Sequence, residues 1–425
     1  MTGFGNKGDL LATVVNLGGL AISAAATLLV SVILANGAGA SAVGQFNQLA
    51  AVYIVASQLA AVGIHLAVLH FLPLTDIHER RRAALAALLA MLPAATLTGA
   101  CVWLGAPLFE RLLDSPGLAG GVRWVALATG LFAVNKLLLN LLNVFGHLIW
   151  LSLAQAVRPL IWLLTAWLLL TSSGVSQTDL GTMFVFGELG VLVFALTRVA
   201  AAFWTPVDGR LQPWATRLVR FGVRAFPSNA MTELNTRVDV LILGVFADDQ
   251  VVGIYSFAAL IAEGAFQIGV LLRTIINNRL VSAVVERNGA TLGQLWRSTS
   301  RASWLLTAAV GLAAMLATPF AIDLLKLDPS LHQGRWVLLV LLLGVTVGAG
   351  FAPFWNVLLL AGRPGMHSLL MLSLLACNIL LNAVAVPVAG MTGAGIATAL
   401  SFLVFPLLLQ FACRRVLGLE LRGSR

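Results

Sequence analysis

Charge is scarce in this chain. Of its 425 residues, 10% are Asp, Glu, Lys or Arg, whereas 59% are hydrophobic, and the mean hydropathy is +0.95. A water-soluble chain of this length needs a much larger charged surface, so the composition excludes an ordinary globular protein. The apolar residues come in long blocks, each long enough to cross about 30 Å of hydrocarbon. We therefore predict an all-α integral membrane protein.

Motifs for catalysis and cofactor binding are also lacking. The three cysteines and six histidines show no metal-type spacing, and the chain has no phosphate-binding loop, nucleotide fingerprint or zinc motif. We therefore predict no cofactor and no metal. The net charge of +9 would suggest a nucleic-acid partner in a soluble protein. Here the basic residues flank apolar blocks, so they indicate membrane topology instead.

Twelve apolar segments are separated by turn or charged residues, which predicts twelve transmembrane helices. Their approximate bounds are 10–35, 43–73, 83–106, 122–145, 149–171, 181–203, 226–246, 251–281, 302–322, 335–361, 366–388 and 394–413. The order predicts two six-helix bundles, residues 1–208 and 226–425. A basic linker, 209–225, joins them. The surrounding stretch 204–227 holds four arginines and predicts a short amphipathic helix on anionic headgroups; a tether without lipid contact is the alternative.

Basic residues are distributed unevenly between the two sets of connections. Four lie on one predicted side: Arg111, Arg123, Lys326 and Arg335. Sixteen lie on the other: Lys7, Arg80, Arg81, Arg82, Arg210, Arg217, Arg220, Arg224, Arg287, Arg297, Arg301, Arg363, Arg414, Arg415, Arg422 and Arg425. The positive-inside rule therefore predicts that both termini face the cytoplasm.

Two passages align when the chain is shifted by 209 residues. "ILANGAGASAVGQFNQLAAV" (33–52) lies over "ILGVFADDQVVGIYSFAALI" (242–261), so Gly44 meets Gly253 and Phe46 meets Tyr255. In both places a span ends, a short outer turn follows, and a long span begins. We predict a parallel internal repeat, with a substrate site between the halves near the membrane midplane.

Several ionisable side chains fall within the predicted spans. Each costs roughly 2.5–3.5 kcal/mol at the centre of a membrane helix, so the central ones must face an interior or a wet cavity. Lys136 and Arg158 have no acidic residue at helical spacing in their own spans, so another helix or a ligand must supply a partner. Asn135 is among the polar neighbours that suggest a wet surface. A cationic cavity suits a pyrophosphate group.

The acidic residues allow two interpretations. Glu233 and Arg237 lie four residues apart in the predicted seventh span, where they form either a self-neutralising pair or part of a site. Asp239 and Glu263 are candidates for ion or proton coupling, or for structural partners of the cations.

The chain resembles the oligosaccharide-lipid flippases of the multidrug/oligosaccharidyl-lipid/polysaccharide exporter superfamily. The resemblance rests on "TRVDVLILGVFADDQVVGIYSFAALIAEG" (236–264), "GASAVGQFNQLAAVY" (39–53) and "GAGIATALSFLVF" (393–405). It implies transfer of an undecaprenyl-pyrophosphate-linked oligosaccharide across a bacterial inner membrane by alternating access, for surface polysaccharide biosynthesis. The implied cationic lumen maps onto Lys136, Arg158, Arg237 and Arg273, with Glu188, Glu233, Asp239 and Glu263 as coupling or structural acids.

The resemblance also implies the partners: the polyprenyl-pyrophosphate-linked oligosaccharide, membrane lipids and a polysaccharide polymerase. A drug/cation antiporter of the same superfamily is the alternative function. A membrane glycan polymerase or ligase is disfavoured, because the longest outer connections, 107–121 and 323–334, carry no acid/base constellation. We predict that the protein is not an enzyme.

Overall fold

The structure, a computed structural model, describes residues 7–172, 177–200, 209–286 and 288–417, and every regular element in these ranges is a helix. Arg287, Arg422, Arg425 and the boundary at residue 208, all used in the topology predictions, lie outside them. The helices are α1 (Lys7–Gly37), α2 (Gly39–Ala61), α3 (Ile64–Phe71), α4 (Ile77–Leu112), α5 (Leu118–Val144), α6 (Leu148–Ser172), α7 (Gln177–Val199), α8 (Gln212–Asn235), α9 (Val238–Phe246), α10 (Asp249–Val285), α11 (Gly289–Leu324), α12 (Arg335–Ala349), α13 (Val357–Leu360) and α14 (Pro364–Ala412).

Short polar side chains begin several of the long helices. Asp76 accepts hydrogen bonds from the backbone N–H groups of His78 and Glu79, both at 2.9 Å, at the start of α4. Asp248 and Asn288 cap α10 and α11 in the same way. Such caps satisfy backbone donors that the first helical turn leaves unpaired, so they fix where a chain leaving the apolar region turns back.

Apolar side chains face outward on the long helices. On α11, Leu312, Leu316 and Phe320 are 63%, 68% and 67% exposed, which is the reverse of a water-soluble helix. Nine helices in the described ranges are long and apolar enough to span a membrane, or ten if a bent pair counts as one span. The all-helical membrane fold is confirmed, while the count of twelve and the repeat stay predictions.

The predicted second span, 43–73, is bent. Helices α2 and α3 meet at 54° across Val62 and Gly63, whose φ angles are +43° and +68°. A positive φ at both residues breaks the helical hydrogen-bond ladder. The span is therefore two helices rather than one long tilted helix.

The predicted seventh span, 226–246, is interrupted as well. Helix α8 ends at Asn235 and α9 begins at Val238, with Arg237 between them at φ −134° and ψ −5°. The prediction that Glu233 and Arg237 share one face of a continuous helix is therefore wrong. Helix α8 also contains most of the predicted linker 209–225, so the linker is part of a helix of 24 residues.

Helix α14 folds back on itself. Its 49 residues include Gly390, which has non-helical angles of φ 53° and ψ −132°. The hydroxyl of Ser401 donates to Oδ1 of Asn378 at 3.2 Å, although 23 residues separate them. A straight helix would hold these residues about 35 Å apart. The two predicted segments 366–388 and 394–413 are thus the two arms of this hairpin.

Contacts divide the chain into two compact units. The first comprises Met1–Ala38 and Gln45–Glu233, and the second comprises Gly39–Gly44 and Leu234–Arg425. In the first unit, α5 packs against α4 and α7, and α1 packs against α6. In the second, α12 packs against α14 and α11, and α10 packs against α11 and α12.

Two glycines bring the start of α2 into backbone contact with α10. A Cβ atom on Gly44 would lie 1.9 Å from the carbonyl oxygen of Asp249, and one on Gly253 would lie 1.8 Å from that of Ala40. The contact is reciprocal under the shift of 209 residues, since Gly44 and Ala40 map onto Gly253 and Asp249. Only glycine fits at either position.

Asp328 caps the same end of α2. Its carboxylate accepts the backbone N–H of Ala40 at 2.8 Å and that of Ser330 at 2.9 Å. The hydrogen bond from Ala40 is the main cause that holds the pKa of Asp328 below its ordinary value of 3.8. Two predicted outer connections, which are 288 residues apart in sequence, therefore meet in the second unit.

We predict that Gly253→Ala destabilises the protein by about 1–3 kcal/mol, because the added methyl group meets backbone that cannot rotate away. Gly264→Ala is the matched control on the same helix, since nothing lies within 4 Å of its Cβ position. The control should be neutral or slightly stabilising. Thermal unfolding in detergent measures both, and equal midpoints for the two variants would contradict the close approach.

Candidate functional site

Glu188 on α7 is the centre of a buried polar network in the first unit. Its side chain is fully buried and accepts hydrogen bonds from the hydroxyl of Tyr53 on α2 and from Nε of Arg158 on α6. Nη2 of Arg158 adds a contact at 3.3 Å, and Nδ2 of Asn135 on α5 donates at 2.7 Å. Four helices thus converge on one carboxylate.

This network corrects the interpretation of Asn135. The sequence suggested that it faces water, but the side chain is 0% exposed and donates to both the carboxylate and the backbone carbonyl of Glu188. Arg158 has the partner from another helix that the sequence required. Because Glu188 neutralises it, Arg158 carries less unopposed positive charge than the sequence alone indicated.

Lys136 is held differently. Its Nζ donates to the side-chain oxygen of Gln58 at 2.8 Å, and Nδ2 of Asn229 donates to the same oxygen at 2.7 Å. The carboxylate of Glu233 also interacts with Lys136 through space. The Lys136 ammonium is half-buried and its close partner is a neutral amide.

An aromatic ring links the two cations. Nζ of Lys136 lies 5.3 Å from the ring centroid of Phe132, and Cζ of Arg158 lies 5.1 Å from it. Both contacts are within cation–π range, so the ring helps to keep two positive groups in one region of low polarity. Tyr53 packs edge-on against the same ring, with centroids 5.4 Å apart.

The second unit has a carboxylate of its own. Asp239, 8% exposed, accepts the hydroxyl of Tyr255 at 2.5 Å and that of Thr398 at 3.3 Å through Oδ2. Its Oδ1 accepts the backbone N–H of Val240 at 2.9 Å. Asp239 has no cation within 4 Å among the described residues, so its close contacts are hydrogen bonds.

The remaining predicted residues are dispersed. Arg237 forms a loose ion pair with Glu263, with Nη1 and Oε1 3.8 Å apart. Arg273, on the same helix as Glu263, has no carboxylate within 4 Å among the described residues. The predicted cations and acids therefore form separate groups: Lys136, Arg158, Glu188 and Glu233 in the first unit, and Arg237, Asp239, Glu263 and Arg273 in the second.

Sequence reasoning missed the tyrosines. The chain has only two, and both donate to a buried carboxylate, Tyr53 to Glu188 and Tyr255 to Asp239. A tyrosine within an apolar segment is a sequence signal, because a buried phenol needs a hydrogen-bond partner. Gln58 and Asn229 were also missed, since single amides within apolar segments carry no spacing pattern. No three His, Cys, Asp or Glu side chains come together as metal ligands in the described ranges.

The sequence model of the family described as polysaccharide biosynthesis protein matches residues 12–274, more than half of the chain. The chain belongs to this family. No curated protein sequence matches it. The residues that the match covers include both buried carboxylates, Glu188 and Asp239, and all of the predicted cations.

Solved structures agree on the fold. The lipid II flippase MurJ in an inward closed conformation has a TM-score of 0.75 at 12% identity, covering 94% of this chain and 87% of its own. An inward-facing MATE family multidrug transporter has a TM-score of 0.69 at 13% identity, covering 96% and 98%. A Vibrio cholerae MATE transporter has a TM-score of 0.64 at 14% identity, covering 96% of both. The chain therefore shares the fold of these three solved structures.

We predict that Glu188→Gln lowers the free energy of unfolding by about 2–4 kcal/mol, because it leaves the partly buried Arg158 without its charge partner. The double variant Arg158→Gln with Glu188→Gln should recover most of this loss. Asp323→Asn, which removes the exposed partner of His332, is the control and should cost under about 1 kcal/mol. Thermal unfolding separates the cases. Additive losses in the double variant would show that the pair is not coupled.

Proposed function

We propose that this protein moves a polyprenyl-pyrophosphate-linked oligosaccharide from the cytoplasmic to the periplasmic leaflet of a bacterial inner membrane by alternating access. The match to the polysaccharide biosynthesis family supports the pathway class. The asymmetry of sixteen basic residues against four supports the orientation, with both termini cytoplasmic. The reciprocal contact of Gly44 and Gly253 supports the parallel repeat on which alternating access rests.

The proposal for the substrate rests on the contacts of Lys136. A lysine at this depth is costly unless it faces a polar partner, and its close partner here is the amide of Gln58. A phosphate oxygen binds an ammonium more strongly than an amide oxygen does, because it adds the attraction between opposite charges to the hydrogen bond. A pyrophosphate would therefore displace Gln58 from Lys136. Arg158, which is paired with Glu188, holds the surrounding helices in position.

A drug/cation antiporter is the second candidate. The buried carboxylate of Asp239, which has no cation partner in the described residues, is the feature that favours it. An organic cation would be attracted to such a group and repelled by Lys136. The two functions therefore make opposite demands on Lys136.

We predict that Lys136→Gln reduces flipping of a fluorescent polyprenyl-pyrophosphate oligosaccharide in proteoliposomes at least tenfold, because one charge-assisted contact to phosphate is lost. Lys136→Arg should retain part of the activity. Arg111→Gln, an exposed arginine in the last turn of α4, is the control and should behave as wild type. Unchanged flipping by Lys136→Gln, together with accelerated export of an organic cation, would favour the antiporter.

We also propose that Asp239 couples transport to an ion or proton gradient. In Asp239→Asn the side chain keeps its shape and its hydrogen-bond acceptor but loses its charge, so a cation no longer gains by binding there. We predict that an imposed gradient no longer accelerates flipping in this variant, whereas binding of the labelled substrate is unchanged. Tyr255→Phe, which keeps the carboxylate, should retain a gradient response. A full gradient response in Asp239→Asn would exclude this role.

A further inference from the structure

Three arginines form an exposed basic groove on α8. Arg217, Arg220 and Arg224 follow one another at intervals of three and four residues, which places them along one face of the helix. They line a cavity of about 320 Å³ together with Thr216, Phe71 at the end of α3, and Phe221. We call these six residues the α8 groove.

The groove carries positive charge that nearby acids do not compensate. None of its three arginines has a carboxylate within 4 Å in the described part of the chain. Glu79 lies close by on α4, but its oxygens are taken by Nε1 of Trp214 at 2.5 Å and by Nη1 of Arg82 at 2.9 Å. The three arginines can therefore bind an anion that is not part of the protein.

One guanidinium is already oriented. Cζ of Arg217 lies 4.1 Å from the ring centroid of Phe71 and 5.3 Å from that of Trp214. A guanidinium held by its face against an aromatic ring keeps its N–H groups in the plane, where they can donate to phosphate oxygens. Phe221 packs edge-on against Phe71, with centroids 5.2 Å apart, and fixes that ring. The site is built from ordered parts rather than from free surface side chains.

Two exposed valines on α8 indicate the chemical class of the anion. Val219 and Val223 are 36% and 52% exposed, and each precedes a groove arginine by one residue, or about 100° of helix rotation. Exposed aliphatic side chains beside cations are typical of a helix lying at the membrane interface. A soluble anion would need only the arginines, whereas a phospholipid uses both surfaces. The ligand class is therefore an anionic phospholipid, with its phosphate in the groove and its acyl chains beside the valines.

The groove lies against the bend between α2 and α3. A Cβ atom on Gly222 would lie 2.7 Å from the carbonyl oxygen of Val62, and one on Gly63 would lie 2.4 Å from that of Gly222. Backbone of α8 thus touches backbone of the bend, while Leu218, 0% exposed, anchors α8 in the buried core of the first unit. We propose that the α8 groove binds the phosphate of an anionic phospholipid and holds α8 against this bend.

The test compares three probes on the purified full chain in neutral detergent: phosphatidylglycerol, phosphatidylcholine and inorganic phosphate at matched ionic strength. We expect phosphatidylglycerol to raise the unfolding midpoint more than the other two do. The triple variant R217Q/R220Q/R224Q should lose that difference and bind phosphatidylglycerol about 100-fold more weakly. The control R279Q/R297Q/R301Q removes the same charge from exposed arginines elsewhere and should retain the difference.

Three results would overturn the proposal. These are an unchanged phosphatidylglycerol effect in the triple variant, an equal loss in the control, or an equal stabilisation by inorganic phosphate, which would indicate a site for soluble anions. If the triple variant does not fold, native mass spectrometry of R220Q and R224Q replaces it. Lower retention of phosphatidylglycerol in both single variants supports the groove, and wild-type retention in both rejects it. None of these outcomes depends on whether the protein flips an oligosaccharide.

Discussion

The buried carboxylate of Glu188 is the constraint on which the first unit depends. An ionised group inside an apolar medium is tolerated only when charge and hydrogen bonds surround it. Tyr53, Asn135 and Arg158 supply these from three other helices, so one side chain on α7 fixes α2, α5 and α6 around it. Polar contacts decide packing here because apolar side chains gain little by moving from lipid to another helix.

The position of this carboxylate also makes Arg158 and Lys136 different, although both appear in the sequence as cations within apolar segments. Arg158 is fixed by a carboxylate, and its planar guanidinium makes two contacts to that group. Lys136 is fixed by an amide and a ring, which leaves its charge uncancelled at close range. A structural role is therefore strongest for Arg158, whereas the role in binding a phosphorylated ligand falls chiefly on Lys136.

The sequence predicted the membrane class, most span positions and the need of Arg158 for a partner on another helix. Those follow from hydropathy and from the cost of charge in lipid, which are local properties. It could not predict that Glu188 is that partner, since the two residues are 30 positions apart and lie on different helices. It also missed the break at Arg237, because no glycine or proline stands at residues 234–238 to mark it. The bend at Val62 had a sequence signal, because a glycine follows it. The long apolar segment around that glycine nevertheless favoured a single continuous span.

Helix α2 belongs to both units, since Gly39–Gly44 cluster with the second and the following residues with the first. The division between the two units therefore does not fall at a single position in the sequence. A polypeptide cut near residue 209 would yield an amino-terminal fragment that retains a helical turn on which the other fragment packs. The carboxy-terminal fragment would therefore lack Gly39–Gly44, which belong to the second unit, and its folding would depend on recovering that turn from the other fragment.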